Sequence, residues 1–206
     1  ILDVFNAIQE FTVDPILDVE DAVAQFNART GESIEGVDDL INRLHFVGDV
    51  GDFGPITDTL VAAQQQGIEF GEGMEEAAFG ALAIAKVFED QNPVEVLRTM
   101  NQLVGTGLAP DFQTAADVIT AGLQEGNNRG GDMLQTLNQF APMFSEMGID
   151  ASEAMSLFSS GLDAGFRSTS DISRAIDTMN KNITGAPADS PVAEALESIG
   201  VELPAA

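Results

Sequence analysis

The chain has no cysteine, no tryptophan and no tyrosine, a single histidine, and only 8 lysines and arginines among 206 residues. Without thiols there are no disulfides, thiol nucleophiles or thiolate metal sites. Those 8 cations against 34 carboxylates leave a net charge of −26. A surface of that sign repels nucleic-acid phosphates and anionic lipid headgroups, so direct nucleic-acid binding is not expected. Long apolar runs are also missing. The most apolar stretch, Ala77 to Phe88, is 12 residues long and contains Lys86, too short for a bilayer span. Disorder is excluded on other grounds, because 44% of the residues are hydrophobic and 20% charged, enough apolar surface for a real core. The chain starts at Ile1 rather than Met and shows no signal peptide, so it is read as a fragment or a processed product.

What the sequence does contain is a repeat. Gly122-Leu123-Gln124-Glu125-Gly126 recurs 39 residues later as Gly161-Leu162-Asp163-Ala164-Gly165. The same shift places Asp111 on Asp150, Ala115 on Ala154, Val118 on Leu157, Ile119 on Phe158, Asp132 on Asp171, Met133 on Ile172 and Leu137 on Ile176. Apolar residues fall on apolar ones and aspartate on aspartate, the mark of a stacked supersecondary unit.

The pattern within the units is helical. Met133, Leu137, Phe140, Phe144 and Met147 succeed one another at steps of 4, 3, 4 and 3, one stripe of a helix. Ile172, Ile176, Met179 and Ile183 form another, and Leu40, Ile41, Leu44 and Val47 an earlier one. Asp150 with Glu153 fits a capping box. Asp132 and Ser170 or Asp171 stand where caps belong, and Pro93 and Pro110 stand near helix starts. Gly67-Ile68, Gly107-Leu108, Gly148-Ile149 and Gly200-Val201 close helices in the Schellman manner. The first three are spaced by 40 and 41 residues, extending the repeat upstream. A single continuous helix of this length would reach about 310 Å, and the repeated caps and breaks argue against such a rod. The expected fold is all-α: an array of helix-loop-helix repeats of about 39–41 residues, with roughly ten short helices. The expected domains are an N-terminal helical region with a decayed repeat (1–66), the repeats proper (67–183), and a linker with the start of a further unit (184–206).

Candidate chemistry is thin. His45 has no partner arrangement of the kind that general acid-base catalysis needs. Asp49, Asp52 and Asp58 sit among glycines but miss the ligand offsets of a calcium loop, and Asp14, Asp18, Glu20 and Asp21 read as solvated caps and turns. The glycine-rich loop Gly126 to Gly131, with Arg129, lacks the ending of a P-loop and reads as a flexible hinge between helices. Glu32-Ser33 resembles the Glu-Ser of lytic transglycosylases, but that family's downstream motifs are missing. No catalytic residue, cofactor or metal is expected. Phe140, Met143, Phe144, Met147, Phe158, Leu162 and Phe166 are the candidates for a protein-contacting surface, against the alternative that they pack the core.

The ordered string from Gln139-Phe140-Ala141-Pro142-Met143-Phe144 through Met147-Gly148-Ile149, then Ser160-Gly161-Leu162-Asp163-Ala164-Gly165, then Asp171-Ile172-Ser173-Arg174-Ala175-Ile176 resembles phage tail tape measure proteins. The resemblance covers roughly residues 107–201. Thr178-Met179-Asn180 departs from the acidic-aromatic pair of many relatives, and long heptads are missing, so the piece reads as a folded region rather than the measuring rod. The resemblance implies a structural virion protein in the tail-tube lumen, made in the host bacterial cytoplasm, that sets tail length, templates tail assembly and leaves ahead of the DNA. Its implied partners are tail-tube and tail-tip (distal tail or hub) proteins, with a homo-oligomer, trimer or hexamer, in keeping with tail symmetry. The alternative is an α-helical repeat scaffold or adaptor that binds another protein.

Overall fold

Short side chains with a spare oxygen set the helix starts. Asp52 accepts from Gly54 N–H at 3.0 Å, Asn92 from Val94 N–H at 2.9 Å, and Asp111 from Thr114 N–H at 2.7 Å. Each satisfies a donor that has no partner within its own helix. At Asp150 the full capping box forms: Glu153 N–H donates to the Asp150 carboxylate at 2.8 Å, and Asp150 N–H donates to the Glu153 carboxylate at 3.1 Å. Asp111 and Asp150, equivalent under the 39-residue shift, thus do the same work.

The computed structural model describes residues 14–48, 52–185 and 190–191. Among them are nine α-helices and no strand: α1 (Asp14–Thr30), α2 (Val37–Gly48), α3 (Phe53–Gln65), α4 (Glu72–Val87), α5 (Pro93–Gly105), α6 (Phe112–Gln124), α7 (Met133–Glu146), α8 (Ala151–Asp163) and α9 (Thr169–Thr184). The all-α repeat expected from the sequence is what forms. The last short helix and the Gly200-Val201 close fall outside the described residues.

The chain divides into two units, residues 1–121 and 122–206, with the division in the last turn of α6. In the first, α1 packs on α2 and α3, α3 on α4 and α5, and α2 on α4. Each helix from α1 to α5 therefore packs on its neighbour in sequence and on the helix two places along, as in nearest-neighbour repeat arrays. Phe26, Leu40, Ile41, Leu44, Ile56, Leu60, Leu97 and Met100 are fully buried there. Thr57 and Thr99 sit in the same core with their hydroxyls donating to the carbonyls of Phe53 and Glu95, so neither hydroxyl is stranded. In the second unit α9 packs on α7 and α8, around Met133, Leu137, Phe144 and Phe158. The Phe144 and Phe158 rings meet edge to face at 5.9 Å, a favoured aromatic geometry.

The two glycines of Gly-Leu-x-x-Gly have different tasks. The second ends a helix. Gly126 and Gly165 take φ of +77° and +105°, a region closed to most side chains. The next residue then turns back: Asn127 N–H donates to the Gly122 carbonyl at 2.9 Å, and Phe166 N–H to the Gly161 carbonyl at 3.1 Å. The first glycine admits a neighbour. A Cβ on Gly122 would lie 3.1 Å from Met133 Sδ and 2.6 Å from Met155 Sδ, and one on Gly161 would lie 2.5 Å from Ile172 Cδ1. Met133 and Ile172 are themselves equivalent under the repeat, so the same contact is built twice from the same spacing.

Gly161→Ala sets two effects against each other. Helix propensity favours alanine by about 0.8–1 kcal/mol, whereas overpacking costs about 1–3 kcal/mol. We expect net destabilisation in urea melts followed by far-UV circular dichroism, with a compensating Ile172→Val change restoring part of it. A gain in stability from Gly161→Ala alone would show that the close approach is not made.

Candidate functional site

The residues nearest to enzyme chemistry are occupied otherwise. His45 is half-buried, its ring stacked on Phe53 at 4.4 Å and edge-on to Phe46 at 5.2 Å. Its Nδ1 is buried with no hydrogen-bond partner among the described residues. Glu32 accepts from the Gln64 side chain at 2.8 Å, and Asp52 is committed to its cap. Asp49 lies outside the described residues, and so does the side chain of Asp14. Among the described residues no group of three His, Cys, Asp or Glu could hold a metal ion. No described helix is long and apolar enough to cross a membrane.

The loop 126–131 is not the loose hinge that its glycines suggest. Asn127 is buried, donating to the Met155 carbonyl at 3.3 Å and accepting from the Ser159 hydroxyl at 2.9 Å. Asn128 caps α7 by accepting from Met133 N–H at 3.1 Å, and Arg129 reaches Asp163 at 3.6 Å.

Asp132 stands at the head of α7 without capping it. Its carboxylate instead accepts from Ser170 N–H at 3.0 Å, Thr169 N–H at 3.3 Å and the Thr169 hydroxyl at 2.9 Å. It thereby satisfies the first turn of α9 and ties the start of one repeat to the start of the next. The cap on α9's own side is Ser168, accepting from Asp171 N–H at 3.2 Å, rather than Ser170 or Asp171. Burial pushes the Asp132 carboxyl pKa up, but the hydrogen bonds from Ser170 and Thr169 outweigh it and hold the pKa below its ordinary value.

Of the candidate contact residues, Phe144 and Phe158 are fully buried, and Phe140 and Leu162 nearly so. Met143 and Met147 are half-buried, and Phe166 is 44% exposed. Burial assigns the first four to the core of the second unit and leaves Met143, Met147 and Phe166 with surface to offer. In the first unit, a hollow of about 450 Å³ is lined by the connector Gly67 to Gly73 with Asn101 and Phe112. A second, of about 360 Å³, lies between α2 and α4, lined by Arg43, Leu44, Glu72, Glu75, Glu76 and Phe79. Arg43 and Glu75 form a bidentate pair there, both bonds 2.9 Å, which raises the guanidinium pKa. Periodicity alone did not reveal this groove, because its residues come from two helices about thirty positions apart.

Stacked helix pairs and an acidic composition define an all-α helical-repeat protein. Over residues 15–206 the chain matches the phage-related minor tail protein family, and it belongs to that family. It is similar to the probable tape measure protein of Streptomyces phage phiC31, with 32% identity over 97 residues, covering 47% of this chain and 12% of that protein. No solved structure matches. The tape measure resemblance read from the residues is thus borne out.

Asp132→Ala should lower stability by about 1–2 kcal/mol at neutral pH. Because the folded-state pKa is depressed, the carboxylate's contribution is complete above the unfolded value near 3.9 and fades as pH falls through the folded pKa. The gap between the parent and Asp132→Ala should therefore narrow in thermal melts taken below about pH 4. A gap of constant size from pH 6 to pH 3 would contradict the tie to α9.

Proposed function

We propose that this chain is a folded, protein-contacting segment of a tape measure protein, lying in the tail-tube lumen and meeting tail-tube or tail-tip subunits. The full-length protein sets tail length, templates tube assembly and leaves ahead of the DNA. The observation that carries the reading is the family match across residues 15–206, which falls on a chain built of repeated helix pairs. The charge of −26 supports it, since a chain of that sign in the lumen does not adhere to passing DNA. Its work is mechanical and interfacial rather than catalytic. Assembly as a trimer or hexamer suits a threefold or sixfold tail.

Within this reading the segment keeps its helix pairs in the virion. Excising one unit, Asp132 to Ser170, joins Gly131 to Asp171 in repeat register. A stretched ruler helix would lose about 58 Å of length, whereas a stacked helix pair contributes only about one interaxial spacing, roughly 10 Å. We expect electron micrographs of the deletion phage to show tails within about 10 Å of parental length, with fewer complete particles or impaired infection. Shortening by about 58 Å would reject the folded segment in favour of a ruler. Full length with normal assembly and infectivity would reject a tail role for the segment and favour an adaptor.

A further inference from the structure

The groove between α2 and α4 combines an apolar floor with an unbalanced charge. Phe79, 40% exposed, supplies the floor, with the buried Leu44 beneath it. Of the carboxylates on its wall, Glu75 is already neutralised by Arg43. Glu72 and Glu76 have no cationic partner among the described residues. They stand one helical turn apart on α4, where like charges repel, and a cation seated between them relieves that repulsion. The groove's own cation, Arg43, is taken by Glu75, and Arg29, Arg129, Arg174 and Lys181 are held in ion pairs away from the groove. A second copy is a poor occupant, because it too carries −26.

We propose that this groove is a docking site for a cationic, apolar segment of another protein, with a lysine or arginine between Glu72 and Glu76 and aliphatic neighbours on Phe79. The proposal names the chemistry of the partner and rests on the tail reading only for where that partner is found. In a tail it corresponds to a basic segment of a neighbouring subunit. The net charge steers such a segment toward the chain, and the apolar floor gives the contact its position.

The chain lacks tryptophan and tyrosine, so Phe79→Trp creates a single fluorophore in the groove. The probe is a 12-residue helical peptide of lysine and leucine, with a glutamate-leucine counterpart as control. We expect a saturable blue shift with the lysine peptide and none with the counterpart. Glu72→Gln with Glu76→Gln should weaken binding about tenfold or more, while circular dichroism shows the helices intact. Phe166→Trp, which lies in the second unit, should report no saturable shift. Equal affinity in the double glutamine variant, an equal response at Phe166→Trp, or no response at Phe79→Trp would each overturn the docking site. These outcomes are independent of the virion deletion, so the groove can fail while the tail reading stands, and the reverse.

Discussion

In each of the two Gly-Leu-x-x-Gly units one glycine makes room for a neighbouring helix and another, four residues on, ends its own. The two resist substitution for different reasons. At Gly161 the obstacle is outside the helix, in the Ile172 side chain that occupies the space of a Cβ. At Gly165 it lies in the backbone, where φ of +105° admits little but glycine. The spacing ties the two together, because the turn after Gly165 donates back to the Gly161 carbonyl. Close packing and chain reversal are therefore fixed in the same turn of helix. The loop, the cap and the next helix are placed by them. Gly122 and Gly126 repeat the arrangement against Met133.

Much of this was legible because the repeat compares the chain with itself. A 39-residue shift shows which positions matter without knowing why, and the capping box at Asp150 needed only local spacing. The misreadings concern residues whose partners lie beyond their own helix. Asp132 looked like the cap of the helix it precedes, but its carboxylate serves α9, 37 and 38 residues downstream. Asn127 and Asn128 looked like hinge residues, yet one is buried against α8 and the other caps α7. Four of the seven candidate contact residues are buried, since an apolar stripe does not reveal whether a neighbouring helix of the same chain or another molecule covers it.

The acidic surface and the repeat core play separate parts. The core is made of leucine, isoleucine, methionine and alanine with a few phenylalanines, so it is independent of the charge outside. The exterior, with few cations, repels nucleic-acid phosphates. Among the described residues, polar groups such as Asp111, Asp150 and Asp132 cap helices and pair across repeats.

The central claim is that the helix pairs persist where the protein works, and the absence of cysteine allows a direct measurement. Gly161→Cys and Ile172→Cys, introduced together into the phage, place two thiols where a Cβ on Gly161 would meet the Ile172 side chain. Oxidation of intact virions should join them within the same chain, seen as a mobility shift that reductant reverses. In a continuous helix those positions lie roughly 16 Å apart, beyond the reach of a disulfide. Free thiols in oxidised virions would show that the segment is stretched in the tail and that the stacked fold is not its working form.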